Sequence, residues 1–272
     1  MPRRRLPLIL LASLAVGGFV PAASAKLNPS HRAALAAAVA APARTPANVA
    51  RDVYRRPAET LAFFDVKPSH TVVEIFPGGG WYSEILAPYV INGGGTYFAA
   101  APDRSLNGFR NLAATNAPLY GRARTATFPV RAAGETGVPA GTADVVVTFR
   151  NVHNWMMGDT PYADLAFRQM YAMLKPGGVL GVEEHRLGEK ADVALEKQSG
   201  YVKTSTVRRL AEAAGFRFVG SSEINANPRD RKDYPEGVWT LPPTFTLKDK
   251  DRATYAAIGE SDRMTLKFVK PR

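Results

Sequence analysis

The sequence predicts an α/β fold in three layers, with a mainly parallel sheet between two layers of helices. Three observations carry that reading. From Thr71 onward, short apolar runs alternate with helical stretches. The clearest of these runs, ADVVVTF at 143–149, is apolar on both faces, as a strand covered from two sides must be. The run VVEIF at 72–76 leads through Pro77 into Gly78, Gly79 and Gly80 and then into a helical segment, a strand–loop–helix order.

The elements follow in chain order. Residues 26–50 are alanine-rich and broken by Pro42 and Pro46, which reads as a helix and a linker. Residues 49–64 read as one helix packed on the next domain, with Leu61, Phe63 and Phe64 as core candidates. Lys67-Pro68-Ser69 is a turn. Strands are then expected at 72–76, 95–100, 143–149, 179–183, 216–219 and 264–269. Helices are expected at 83–90, 162–174 and 207–214, the last closed by Gly215. Residues 225–262 are rich in Pro, Asp and Arg and read as an excursion of the same domain. No internal repeat is visible.

A chain of 272 residues suits one domain with extensions. The N-terminus has the form of an export signal: Arg3, Arg4 and Arg5, an apolar stretch over 6–20, and the small-residue site Ala23-Ser24-Ala25. The expected organisation is therefore a signal peptide at 1–25, a helical extension at 26–70 and the main domain at 71–272. Localisation is expected to be periplasmic or secreted, with the mature chain starting at Lys26 and carrying no membrane span. The apolar stretch is short of the ~20 residues a spanning helix needs. The formal net charge of +11 falls to +8 once the three arginines of the signal are gone. The remaining basic residues are spread out, and the cluster at 229–233 alternates with acids. No basic stretch is interleaved with aromatics, so no nucleic-acid partner is expected. The absence of cysteine excludes thiolate metal sites and cysteine nucleophiles.

A strand that ends in glycines and turns into a helix lets a ligand approach the backbone. Glycine tolerates the conformations required, and the helix start offers free N–H groups. The nicotinamide fingerprint G-x-G-x-x-G fails here, because Gly78-Gly79-Gly80-Trp81-Tyr82-Ser83 lacks its last glycine, and no Gly-Lys-Ser/Thr follows for a phosphate loop. Instead Glu74 precedes the glycines. Asp103 follows the next expected strand, where a ribose-binding carboxylate belongs.

The segments VVEIFPGGG, ADVVVTFRNVHNW, MLKPGGVLGVEEHR and LAEAAGFRFVG stand in the order and spacing found in class I S-adenosylmethionine-dependent methyltransferases. The resemblance runs from Thr71 to Ile224 and includes the last strand, RMTLKFVKP. PGGGWYSEILAP behind a signal peptide is similar to a group of exported bacterial methyltransferases. The resemblance implies a Rossmann-like, seven-stranded, mostly parallel sheet with an antiparallel last strand, and S-adenosylmethionine as cofactor. It implies that Glu74, Gly78, Gly79 and Gly80 line the methionine part, that Asp103 holds the ribose hydroxyls, and that Asn151 faces the sulfonium region. The chain departs from the family at Phe76, which stands where the first glycine is usual, and at Asp103, which comes slightly late.

Methyl transfer depends mainly on alignment, with a base where the acceptor must lose a proton. His153, in RNVHNW just after the fourth family strand, is the candidate base or acceptor-orienting group, and Trp155 a candidate pocket wall. In EEHR at 183–186, period-two alternation places Glu183 and His185 on one side and Glu184 on the other. No short ligand spacing supports a metal site from His153, His185 and a glutamate, so no metal is expected. Tyr234, Trp239 and Phe245 are candidates to roof the site, and Gly200-Tyr201 a candidate gate. The expected function is methyl transfer to a small-molecule acceptor; the alternatives are a non-catalytic nucleoside-ligand binder and a nicotinamide oxidoreductase.

Overall fold

The computed structural model describes residues 28–272, so the expected signal peptide lies outside the described residues. Its strands are β1 (Thr71–Ile75), β2 (Thr96–Ala100), β3 (Arg124–Ala126), β4 (Ala143–Phe149), β5 (Leu174–Leu187), β6 (Val202–Lys203), β7 (Arg217–Ser222) and β8 (Arg263–Val269). Seven of them form one path in the order β3-β2-β1-β4-β5-β8-β7, and β6 adds a short pairing with β5. Strands β1 to β5 run parallel, and β8 lies antiparallel between β5 and β7. This is the expected architecture, enlarged by one strand. Neither β3 nor β6 matches one of the six runs read from the residues themselves; at three and two residues they are too short to carry a periodic signal.

Alternation along the strands builds two cores. Val73, Ile75, Val146, Leu180, Val182, Leu266 and Phe268 face one side of the sheet. They meet helix Ala163–Met173, whose buried stripe is Ala163, Ala166, Phe167, Met170 and Met173, and helix Thr204–Ala213. Val72, Val145 and Val147 face the other side and meet helix Ser83–Asn92. Full burial of one such side chain contributes roughly 1.5–3 kcal/mol.

The second core is shared with the N-terminal extension. Leu35, from helix Pro29–Val39, joins it together with Leu61 and Phe64. Phe64 lies so close to β5 that a Cβ at Gly181 would come within 2.5 Å of its ring. The single helix expected at 49–64 is instead two short ones, Asp52–Arg55 and Pro57–Phe63. Pro57 disfavours a helical conformation at the preceding residue, and Arg56 takes φ 39°. The excursion at 225–262 contains the single turn Gly237–Thr240 and helix Arg252–Ile258. Among the described residues, no helix is long and apolar enough to cross a membrane.

Candidate functional site

Strand order reverses between β1 and β4, and in open α/β sheets ligands bind beyond the carboxyl ends of the strands at that point. A cavity of about 390 Å³ lies there. Its lining comes from the glycine loop, the end of β4, the N-terminal extension and the excursion. At both ends of the crevice a bulky residue holds a left-handed backbone: Phe76 after β1 at φ 53° and Arg150 after β4 at φ 58°. Such conformations in non-glycine residues cost of order 1–3 kcal/mol and persist only where surrounding contacts fix them. Here each residue donates its backbone N–H to the neighbouring strand, Phe76 to Ala100 O at 2.8 Å and Arg150 to Glu183 O at 2.7 Å.

The glycine loop divides in two. A Cβ at Gly78 or Gly79 would meet nothing within 4 Å, and both residues line the cavity. Gly80 does not: a Cβ there would come 2.6 Å from Leu112 Cδ2, at φ +85°. Phe76, in the position of the family's first glycine, packs its ring against Phe128 and Trp155. Trp155 is itself a core residue, packed also against Phe167, rather than a wall of the cavity.

Glu74 is buried and its Oε2 accepts from Ser83 Oγ at 2.8 Å and Tyr97 Oη at 2.5 Å. Burial raises its carboxyl to about 7 against the pull of those two hydrogen bonds. It ties β1 to the start of the helix after the loop through Ser83 and is not part of the cavity lining. Asp103 is exposed and engaged with Arg110, whose hydrogen bond holds its carboxyl below the usual range. It too lies outside the cavity lining. Asn151 lines the cavity and donates from Nδ2 to Ile75 O at 3.0 Å and Thr148 Oγ1 at 3.1 Å, which joins the ends of β1 and β4.

His153 lines the cavity on the single turn Val152–Met156, with Trp239 of the excursion edge-on to its ring at 5.9 Å. Its Nδ1 is 2.9 Å from Glu184 Oε1. The same carboxylate accepts the backbone N–H of His153 at 3.2 Å and of His185 at 2.8 Å. With Glu184 accepting both backbone N–H groups, the assigned tautomer has Nδ1 donating to it as well, with Nε2 as the ring's other nitrogen. His185 is held well below the ordinary histidine value by burial first, then by His153 and Arg150. Its Nδ1 meets Ser261 Oγ at 2.5 Å. Ligand atoms of His153, Glu184 and His185 lie within 4.8 Å of one another, close enough to hold a cation. Both oxygens of Glu184 and Nδ1 of His185 already have protein partners, so the cluster is satisfied as a hydrogen-bonded group.

Of the expected roof, Trp239 alone reaches the cavity. Tyr234 packs on Tyr255, and Phe245 lies under Arg252. Tyr201 is buried and donates to Asp230 at 3.1 Å, which fixes it in place. The residues that sequence reasoning missed are charged. Arg51 and Arg55, from the extension, and Arg150 line the cavity, and Glu260 binds the first two. Behind them Arg263 joins Glu260 to Glu183, and Tyr82 Oη donates to Glu183 at 3.0 Å. Arg55 also lies 4.6 Å over the Trp81 ring. The one local signal was the spacing of Arg51 and Arg55, four apart as neighbours on a helix face are.

No protein-family model and no curated protein matches the sequence. Solved structures do match in fold. A S-adenosylmethionine-dependent methyltransferase from Aquifex aeolicus matches at TM-score 0.53 and 15% identity, over 81% of this chain and 93% of its own. The cyclase SpnF matches at TM-score 0.55 and 15% identity, over 80% of each chain. The chain therefore shares the fold of S-adenosylmethionine-dependent methyltransferases, a fold that also houses a cyclase.

Proposed function

We propose that the chain is a S-adenosylmethionine-dependent methyltransferase acting on a small-molecule acceptor. The observation that carries this is the open backbone at Gly78 and Gly79, facing a cavity that His153 also lines. The fold neighbours named as methyltransferases support it. The residues present fit the methionine end of the cofactor, where a side chain at either glycine would occupy ligand space. When bound, the cofactor supplies an electrophilic methyl on a sulfonium. The chain's own part is positioning and proton removal. Gly78, Gly79 and Asn151 shape the cavity. His153 Nε2 takes the proton that the acceptor loses. Glu184 is a positioning residue, holding Nδ1–H and so the ring plane and tautomer. Trp239 and the prolines Pro242 and Pro243 exclude water from one side. The proposal extends to export, which an N-terminus at Lys26 on protein from the native host would support by mass spectrometry.

Thermal unfolding with S-adenosylhomocysteine tests the cofactor half. A ligand at 100 times its dissociation constant stabilises by about 2.7 kcal/mol, or several degrees at roughly 2–4 °C per kcal/mol. NAD should produce no shift. Gly79→Val should remove the shift without lowering the melting temperature of the free protein. His153→Ala tests the other half and should lower turnover by about 10²–10⁴ with ligand affinity unchanged. A shift with NAD alone returns the oxidoreductase reading; tight binding with no transfer to any small molecule returns the non-catalytic one.

A further inference from the structure

One part of the cavity wall carries more positive charge than its partners offset. Arg51, Arg55 and Arg150 line it, and Glu260 is the single carboxylate among the described lining residues. Glu260 is shared: it takes Arg51 Nε at 2.7 Å, Arg55 Nε at 3.0 Å and Arg263 Nη1 at 2.9 Å. Arg263 and Glu183, behind the lining, pair at 3.1 Å and offset each other. Two of these arginines each keep one buried guanidinium nitrogen without a hydrogen-bond partner, Arg51 Nη2 and Arg150 Nη1, the latter in a loose ion pair with Glu183 at 3.5 Å. Buried donors without acceptors are rare in folded chains. Burial first, and then the neighbouring Arg150, pull Arg55 down to about 9 against the opposing pull of Glu260.

We propose that Arg51, Arg55 and Arg150 bind an anionic group, a carboxylate or a phosphate, on a small methyl acceptor. The assignment to an acceptor rests on the methyl-transfer reading. Charge favours the acceptor over the cofactor as the source of the anion. S-adenosylmethionine carries a carboxylate, an ammonium and a sulfonium, and its net positive charge adds to the excess rather than removing it. Position agrees. Arg150, Asn151 and His153 line one cavity, so an anion held at Arg150 shares that cavity with the proposed base. The guanidinium fork matches both carboxylate and phosphate.

Calorimetric titration of the protein with inorganic phosphate and with malonate tests this. Both should bind in the millimolar range, and malonamide, which is neutral, should not. Binding should persist or tighten when S-adenosylhomocysteine is saturating. Arg150→Gln and Arg51→Gln should each weaken phosphate by about tenfold or more, the loss of one charge-assisted hydrogen bond. The competition experiment uses the unmodified protein, so it stands even if a variant fails to fold. One-for-one displacement of phosphate by S-adenosylhomocysteine would overturn the proposal and give the arginines to the cofactor's carboxylate. No phosphate or malonate binding at all would also overturn it. Phosphate binding without any S-adenosylhomocysteine binding would overturn the assignment to an acceptor, through the reading it rests on, and leave the anion site itself standing.

Discussion

The two sides of the crevice are built from different materials. On the β1–β2 side the contacts are neutral and apolar, or solvated. Phe76 packs on Phe128, Leu112 covers Gly80, and Asp103 stands in solvent beside Arg110. On the β4–β5–β8 side the contacts are buried and ionic. Glu183, Glu260 and Arg263 are almost fully buried, and Arg55 joins Glu260 across 205 residues of chain. The first side shapes the cavity with backbone, the second with charge. A substitution on the first side should act through the space it fills, and one on the second through the charge it leaves unpaired.

The largest effect should come from breaking the charged side at its hub. Glu260 serves three arginines; burial would raise its carboxyl, but Arg55, Arg263 and Arg150 outweigh that and hold it at about 2. Removing one partner of a buried pair costs about 3–5 kcal/mol, because the remaining charge is stranded. Glu260→Gln should lose that much stability in urea unfolding. Phosphate should recover part of it in the variant by replacing the lost negative charge. A loss below about 1 kcal/mol would mean that water solvates these arginines, and the contrast between the two sides would vanish.

The same contrast explains what was legible in the sequence. The neutral side is local. A strand, its glycines and the helix after them lie within 71–92, so periodicity and turn chemistry find them. The sheet was legible for a related reason: β4 and the 179–183 part of β5 are apolar runs long enough to stand out, whereas β3 and β6 are not. The charged side has no such signature. Glu260 lies about 200 residues from Arg51 and Arg55, and only the antiparallel placement of β8 beside β5 brings them together. The Glu184–His153 pair, 31 residues apart, depended on which turn follows β4. Alternation did separate Glu183, facing Tyr82 and Arg263, from Glu184, facing His153. It could not name those partners. Gly80 illustrates the limit within the motif itself. Counting residues made it equivalent to Gly78, whereas Leu112, from a helix 30 residues on, makes it a packing position.

Glu74 sharpens the comparison, because it is a buried carboxyl on the loop side with hydroxyl partners, Ser83 and Tyr97, and no ion pair among the described residues. Burial holds it neutral up to about 7 in the folded chain, while in the unfolded chain it ionises near its ordinary value of 4.5. A raised carboxyl favours the folded state most at low pH. The contribution is complete below 4.5, declines as pH rises toward 7, and is gone above that. A difference of this size corresponds to about 3 kcal/mol. The stability of the wild type relative to Glu74→Gln, which does not titrate, should therefore fall by about that amount between pH 4.5 and pH 8. A pH-independent difference would show that Glu74 is ionised throughout and that the loop side is charged after all.

The smallest effect is expected at Asp103. The family resemblance implies a carboxylate on the ribose hydroxyls at this point of the chain. In the structure the side chain is 83% exposed, follows Pro102 at the start of the single turn Asp103–Leu106, and is taken by Arg110 at 2.5 Å. An exposed ion pair is worth little, and hydrogen bonds made in full contact with water discriminate weakly. Asp103→Ala should leave melting temperature unchanged and S-adenosylhomocysteine affinity within about threefold, since a hydrogen bond made in solvent is exchanged for one to water at little cost. Titration calorimetry on the variant decides the matter. A tenfold loss would mean that Asp103 exchanges Arg110 for the ribose on binding. The neutral side would then close around its ligand with a charge of its own, and the asymmetry described here would belong only to the free protein.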